Sequence, residues 1–456
     1  METFKLYTEA LCPICKKRLE AAYIKNEKNV CLDRNCPEHG HFSIPVWSNF
    51  YDFEGWIKNA APLIKGENPS CPNNCGLCSD HKQATCCVLL PVTARCNLSC
   101  RFCFADPDQS SDPSLEEIKK SLSQLAVPGQ TLVQLSGGEP TLREDLPDIV
   151  AAAKKSGCKY VQLNSNGLRL AEDETFVKNL ADAGLSFLFL QFDGLNDSVY
   201  NTLRGKPLFN LKEKAIKNCA RYNIGVTLVP TLVPGVNINE IGNIIDFAVK
   251  NSPAVRGVHF QPVSYFGRTP VLPKEAPHFS LDELLHNIVN QSTVPLKEED
   301  FSPSCCDHPL CGLHGDFMVL PDGNLKALHQ REKTQECCSG SAEQECCSGT
   351  AAHTEQTCCS DFAAPENKPA PGSAEKNRNF VGRRWERPQN NKCNCGDSEP
   401  DLTDMEQFAD RIKSHGFTIT AMAFQDATTL DIARLRQCSL HVFSEGKFIP
   451  FCSYYL

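Results

Sequence analysis

The chain has 456 residues, enough for two to four structural units, with 41% hydrophobic and 22% charged residues. Its net charge of −9 argues against nonspecific nucleic-acid binding through phosphate neutralisation, and no apolar run reaches the roughly 18 residues that would suggest a transmembrane helix. The 27 cysteines are far above ordinary usage. They fall into C-x2-C and C-x3-C-x2-C groups in a long chain without a secretory apolar leader, so metal binding in the cytoplasm is expected rather than a disulfide framework.

Residues 1–60 carry Cys12-x2-Cys15 and Cys31-x4-Cys36. Two such knuckles make a tetrahedral four-thiolate site for one iron or zinc, with His39 as a competing ligand. A segment this short buries little apolar surface, so metal would supply much of its folding free energy. Residues 61–86 hold a second group, Cys71, Cys75 and Cys78, with Cys86 close behind.

From 87 to 275 the pattern alternates. The β-rich runs are "CVLLPV", "TLVQLS", "YVQLNS", "SFLFLQF", "GVTLVP" and "GVHFQP", and between them lie amphipathic stretches such as Leu115 to Leu125, Asp145 to Lys155 and Ile238 to Val249. This spacing predicts parallel βαβ units in an α/β fold, either an incomplete six-stranded barrel or an open twisted sheet. In both, function concentrates in the loops after the carboxyl ends of the strands. Residues 276–333 and 378–456 form a further cysteine-bearing region, with a helix expected over Asp404 to Ser414 and a hairpin turning at Ser444-Glu445-Gly446. Between them, residues 334–377 are small, polar and proline-containing with three Cys-Cys pairs, the composition of a disordered insertion.

"TARCNLSCRFCFADP" places Cys96, Cys100 and Cys103 directly after the first β-rich run, with Phe102 before the third cysteine. A cubane cluster has four iron corners, and no further cysteine follows until Cys158, so one iron is left open unless a remote residue closes it. One βα unit later comes Gly137-Gly138-Glu139-Pro140. The glycines allow close backbone approach to a ligand, and Glu139 can accept from an ammonium group. Polar groups at later strand ends are Asn164 and Asn166, then Gln191 and Asp193.

This arrangement resembles the radical S-adenosylmethionine (SAM) superfamily over roughly residues 86–270. The resemblance implies a partial (β/α)6 TIM barrel in which S-adenosylmethionine chelates the open iron of a [4Fe–4S] cluster on Cys96, Cys100 and Cys103. Gly137, Gly138, Glu139, Pro140, Asn164, Asn166, Gln191 and Asp193 are then cofactor-binding. Reduction splits the sulfonium to a 5′-deoxyadenosyl radical that abstracts hydrogen from an inert carbon, leading to methylation, C–C or C–S bond formation. "CPNNCGLCSDHKQATC", "QFDGLNDSVYNTLRG", "CDHPLCG" and "IPFC" are similar to the subgroup of archaeal tetraether-lipid synthases and pterin-modifying radical methylases, and the Cys-Cys repeats suggest a bacterial (seleno)protein branch. The subgroup implies two auxiliary clusters: one on Cys71, Cys75, Cys78 and Cys86, the other on Cys306, Cys311, Cys438 and Cys452, with Cys305 competing for the place of Cys306. It also implies a reductase such as ferredoxin or flavodoxin, and a small-molecule or lipid substrate.

Arg204 in "LRGK" is open to two readings, a grip on a carboxylate or a structural salt bridge, and Gln261 to facing the adenosyl group or supporting its strand end. Tyr200 and Tyr265 are expected in the core, as are Cys158 and Cys219. The alternative function is a cysteine-rich electron-transfer or metal/sulfur carrier without turnover, which needs no cofactor pocket.

The insertion should be dispensable for radical generation, because its composition cannot offset its chain entropy and loop-closure cost grows only logarithmically with length. Deleting residues 334–377 behind a short Gly-Ser linker is expected to leave iron content and cleavage of S-adenosylmethionine with an artificial reductant unchanged. Loss of iron on deletion would make its thiols cluster ligands.

Overall fold

The computed structural model describes residues 4–58, 71–72, 76–105, 112–270, 277–304, 306–331, 373–388 and 404–456. Cys75, Cys305 and the expected insertion as far as residue 372 lie outside these, while its last residues open the helix Ser373–Trp385.

The amino-terminal module is a four-stranded antiparallel sheet in the order β1 (Lys5–Leu11), β2 (Arg18–Lys25), β3 (Val30–Cys36) and β4 (Gly40–Trp47). Tyr23 and Trp47 of the sheet pack with Phe53 and Trp56 of the following short helix, Phe53–Ile57, into the main core.

The six β-rich runs become β5 (Cys87–Thr93), β6 (Leu132–Gly137), β7 (Tyr160–Ser165), β8 (Phe187–Gln191), β9 (Gly225–Val229) and β11 (Val255–Pro262), joined in parallel in that order. The two-residue β10 (Thr231–Leu232) pairs only with the end of β11. Alternate residues of each strand face the helices or the barrel interior, which is why the runs read as nearly continuous apolar stretches. Local signals agree with the layout. The helix Leu115–Leu125 starts on a Ser114/Glu117 capping box, and the helix Asp197–Arg204 runs from an Asn196 cap to Gly205 in the left-handed region.

The expectation of a six-stranded partial barrel holds, and the C-terminal region enlarges it. Two later strands add in parallel at its edges: β15 (Gly416–Met422) beside β11 and β16 (Leu440–Ser444) beside β5. Beyond them lie antiparallel strands, β13 (Gly312–Val319) against β15 and β17 (Lys447–Pro450) against β16, with β12 (Ser302–Pro303) and β14 (Leu325–Ala327) on β13. The β16–β17 hairpin turns at Glu445-Gly446, both at positive φ, as its sequence predicts. The expected helix near 404–414 is Met405–His415.

The helix Ser373–Trp385 closes one end of the barrel. Trp385 is buried against Phe187 and Phe189 and donates its indole N–H to Thr418 Oγ1 at 2.9 Å. Arg256, fully buried, ties the same helix to the 404–415 helix by donating to the carbonyls of Arg384 at 2.7 Å and Lys413 at 3.0 Å.

Asp431 joins the two ends of the chain. It is 1% exposed, accepts from Thr8 Oγ1 at 2.7 Å and from the Tyr23 hydroxyl, and caps the helix Ile432–Arg436. Replacing it by alanine strands two buried hydroxyl donors and removes the cap. Asp431→Ala is expected to cost about 3 kcal/mol, measured by denaturant unfolding, whereas a loss under about 0.5 kcal/mol, the usual range for surface substitutions, would mean the junction is not structural.

Candidate functional site

The cysteine loop leaves the carboxyl end of β5 and is clasped by the loop after β6. Gly138 N–H donates to Thr93 O and Glu139 N–H to Arg95 O, both at 2.8 Å. Gly137 has φ +119°, and a Cβ there would lie 2.1 Å from Thr93 O. At Gly138 a Cβ would lie 2.1 Å from Arg95 O. Only glycine lets the two backbones meet this closely. From the other side Arg101 N–H donates to Leu203 O at 2.9 Å, and Cys103 and Arg268 exchange backbone hydrogen bonds at 3.0 and 2.9 Å. Phe102 packs edge-on to Tyr265.

Cys96, Cys100 and Cys103 are all half-buried and line one wall of a cavity of about 310 Å³. Gly137, Gly138 and Glu139 line it beside them, as do Asn164, Asn166, Gln191 and Gln261. Three thiols in one loop, held beside the cavity by a glycine loop that no Cβ could replace, fit a cluster and its small-molecule ligand.

Two expected cofactor-binding residues stand back from the cavity. Pro140 is buried at the start of a 3-10 turn, Pro140–Leu142. Asp193 is fully buried and is taken by Arg204, whose Nε and Nη2 donate to its two oxygens at 2.7 Å each, and by Thr231 N–H at 3.1 Å. Arg204 therefore has the structural reading, a bidentate salt bridge, while its side chain still reaches the cavity wall. Glu139 also differs from expectation. Its Oε1 accepts from Thr141 N–H, Thr141 Oγ1 and Ser165 Oγ, and its Oε2 from Asn166 N–H at 2.7 Å. The carboxylate brackets the β6 and β7 loops together, leaving only Oε2 with spare acceptor capacity. Lys212 lies behind this layer, fully buried, donating to Gln191 Oε1 at 3.1 Å and to Asn166 O. Burial pushes its ammonium down to about 8, against the opposing pull of the Asp193 carboxylate.

Deeper in the cavity is a band of amides. Gln162 Nε2 donates to Asn164 Oδ1 at 2.7 Å and Gln134 Nε2 to Gln162 Oε1 at 3.3 Å. Phe189, His259 and Trp385 face this band. Burial holds the His259 imidazole neutral, with its pKa near 4, and Nδ1 is 2.8 Å from Thr420 Oγ1.

A second group of possible metal ligands lies in the amino-terminal module. Ligand atoms of Cys12, Cys15, Cys36 and His39 all lie within 4.8 Å of one another. Cys36 Sγ is 3.5 Å and Cys12 Sγ 3.7 Å from His39 Nδ1. Cys31, expected as the fourth ligand, stands apart from this group, and His39 takes the place beside Cys12, Cys15 and Cys36. Five residues back along extended β3, Cys31 is about 16 Å from Cys36 and its thiol donates to Asn29 Oδ1 instead.

Among the expected auxiliary ligands, Cys71 and Cys452 share one apolar cluster. Cys311, Cys438 and Cys452 are close enough to interact electrostatically. Cys86, expected with Cys71, Cys75 and Cys78, instead shares the Asn377 amide with Cys306. Cys78 is half-buried. Cys158 and Cys219 are buried in the core as expected, and so are Tyr200 and Tyr265. The helix carrying Asn377 and Trp385 is the part of the site that pattern reading missed, since it opens within the polar insertion and its amphipathicity is weak.

If this assignment of the loops is correct, Cys100→Ala should lose about one cubane of iron and all 5′-deoxyadenosine formation, the other metal sites staying filled. Gly138→Ala should keep its iron yet cleave S-adenosylmethionine about 100-fold more slowly, because the clasp must open. Wild-type rates in either variant, read by chromatography of 5′-deoxyadenosine, would refute it.

Residues 90–248 match the Radical SAM superfamily, and residues 4–48 match the HMPTM N-terminal zinc ribbon domain. The chain is 32% identical to the 7,8-dihydro-6-hydroxymethylpterin dimethyltransferase of Methanocaldococcus jannaschii, over 98% of this chain and 92% of that protein. It is 30% identical to the Fe-coproporphyrin III synthase of Methanosarcina barkeri over 47% of this chain and 53% of that one. Among solved structures, Streptococcus suis SuiB bound to S-adenosylmethionine aligns with a TM-score of 0.36 and 17% identity, covering 46% of this chain and 48% of that one. No helix among the described residues is long and apolar enough to cross a membrane. The chain belongs to the radical SAM superfamily and is a radical SAM enzyme, with the [4Fe–4S] cluster and S-adenosylmethionine which that membership brings.

Proposed function

We propose that the protein is a radical methyltransferase acting on a carbon of a planar nitrogen heterocycle of the pterin class. The observation that carries this is the wall of the cavity beyond the cysteine loop. Gln134, Gln162 and Asn164 offer both donors and acceptors, and Phe189 and Trp385 offer aromatic faces. A fused nitrogen heterocycle has alternating donor and acceptor edges and flat apolar faces, and this wall answers both. A lipid chain would make no use of the donor and acceptor capacity these amides keep beyond their bonds to one another.

When bound, the cluster and one S-adenosylmethionine would supply one-electron carbon–sulfur cleavage and hydrogen abstraction, while a second S-adenosylmethionine would donate the methyl group and leave as S-adenosylhomocysteine, with a further electron from the reductant. The chain's own residues do the rest. Cys96, Cys100 and Cys103 hold three irons, and the backbone of Gly137 and Gly138 with Asn166 and Gln261 positions the cofactor. The amide band orients the heterocycle against it, and the helix ending at Trp385 keeps water out from the opposite end of the barrel. Neutral His259, with Nδ1 2.8 Å from Thr420 Oγ1, adds no charge to the wall.

The amino-terminal module holds one zinc or iron on Cys12, Cys15, Cys36 and His39, a three-thiolate, one-imidazole set of the structural type. Two auxiliary clusters use the cysteines of 71–86 and of the C-terminal region. The unit boundaries are 1–60, 61–86, 87–275, then 276–333 with 378–456. A one-electron carrier of ferredoxin or flavodoxin type in the cytoplasm reduces the enzyme, and nucleic acid is not a partner. Anaerobic protein is then expected to contain about 13 metal ions, three cubanes and one single ion.

The test is to incubate reduced enzyme, S-adenosylmethionine and 7,8-dihydro-6-hydroxymethylpterin, and follow the pterin by mass spectrometry. Gain of one or two methyl groups, lost or slowed at least about tenfold in Gln162→Leu, is expected. Formation of 5′-deoxyadenosine without any methylated pterin would overturn the substrate class.

A further inference from the structure

The inward face of β11 carries His259 and Gln261, while Val258 and Phe260, alternating with them, turn into the hydrophobic core. His259 is 8% exposed and lines the reaction cavity. Two rings hold its imidazole in place: Phe189 at 5.3 Å, tilted by 36°, and Trp385 edge-on at 6.5 Å. The Trp385 indole N–H is already committed to Thr418 Oγ1, so neither ring offers the imidazole a donor.

The register of β11 on β15 settles one of the two ring nitrogens. Thr420 stands opposite His259, with its Oγ1 2.8 Å from Nδ1, and the same hydroxyl donates to Val258 O at 3.4 Å. One arrangement of protons makes both contacts. Nδ1–H donates to Thr420 Oγ1, and the hydroxyl hydrogen goes on to Val258 O. Burial holds the ring neutral, with its pKa near 4, so Nε2 is left with a lone pair and no proton. Nε2 has no hydrogen-bond partner among the described residues. A buried acceptor of this kind calls for a donor from whatever fills the cavity. The amides of Gln134, Gln162 and Asn164 each carry donors and acceptors and can meet either kind of edge by turning over. His259 cannot, because its tautomer is set from behind.

We propose that His259 is a specificity-determining residue whose Nε2 accepts a hydrogen bond from a ring N–H of the substrate, with Thr420 as the positioning residue that fixes its tautomer. The proposal rests on the reading of the cavity as a site for a nitrogen heterocycle, and it adds a polarity to that substrate. The edge that faces β11 must be a donor. A ring presenting a carbonyl or an unprotonated nitrogen there would set two lone pairs against each other and be rejected. One fixed donor edge also leaves the heterocycle one way to lie, which decides which of its carbons faces the cysteine loop.

Binding of 7,8-dihydro-6-hydroxymethylpterin to the anaerobic holoenzyme, followed by the pterin's fluorescence, tests this, with iron content and Tm as checks on folding. His259→Asn keeps a polar group beside Thr420 but has nothing at the place of Nε2, and is expected to bind about 30-fold more weakly. His259→Gln returns an amide oxygen to that place and should stay within about fivefold of wild type. Thr420 stands outside the cavity lining, yet Thr420→Val should weaken binding about fivefold, since the ring is then free to carry its proton on Nε2. Equal weakening in the asparagine and glutamine variants would mean that His259 only packs, and wild-type affinity in His259→Asn would mean that it does not touch the substrate. Either result overturns the acceptor. If both histidine variants lose iron or melt early, Thr420→Val decides alone, and wild-type affinity there overturns the fixed tautomer. Wild-type protein that binds no pterin overturns the substrate class and this inference with it, whereas the variant results above overturn the inference alone.

Discussion

The contact on which the site depends is the approach of two backbones, the cysteine loop after β5 and the glycine loop after β6. Two hydrogen bonds at 2.8 Å join them, and neither strand end could come so near if position 137 or 138 carried a side chain. The close approach fixes where three thiols sit relative to the N–H and C=O groups of the neighbouring strand end. A cluster and a ligand on its open iron must both be held from there. Parallel strands make this possible, because every βα loop of the barrel opens on the same end.

Behind the clasp lies a layer of buried charge that sets the second half of the cavity. Arg204 and Asp193 form a bidentate pair with almost no solvent contact. Such a pair costs desolvation that its own attraction roughly repays, so its worth is more in position than in stability. It fixes the end of β8 to the helix Asp197–Arg204. That helix in turn supplies Leu203 O to the cysteine loop. Lys212 bonds to Gln191 and to the Asn166 carbonyl from beneath. Glu139 closes the ring from the other side by accepting from the β7 loop. Glu139, Asp193 and Arg204, which look like ligand-binding residues in the sequence, thus mainly hold the loops that bind, and Lys212 joins them.

The barrel strands and the cysteine triplet were legible because their signals are local. A run such as "SFLFLQF" between helical patterns, or three cysteines at fixed spacing after a strand, needs no knowledge of the rest of the chain. The enlargement of the barrel by β15 and β16 was not legible, since an edge strand is defined by its neighbour in space. The same limit explains the amino-terminal site. Spacing counts Cys31 and Cys36 as one knuckle, but five residues of extended strand carry Cys31 out of range, while the turn after Cys36 brings His39 back. Asp193 shows a related limit. Its place at a strand end resembles that of Asn164, yet a partner 11 residues later claims it.

The amides of the cavity wall and Trp385 come from distant parts of the sequence. Gln134, Gln162 and Asn164 lie on consecutive barrel strands, so their side chains form a ladder set by the β6–β7 register, in which Gln134 pairs with Gln162. Trp385 comes from the helix that opens within the expected insertion, and it reaches the barrel through Phe187 and Phe189. The ladder is fixed by backbone hydrogen bonds and tolerates little movement. The helix is fixed by side-chain packing and by Arg256, which spans it and the 404–415 helix. Substrate shape can therefore change through the helix without disturbing the loops that hold the cofactor. In a family whose members share the barrel and differ in what they modify, that separation lets chemistry and recognition vary independently.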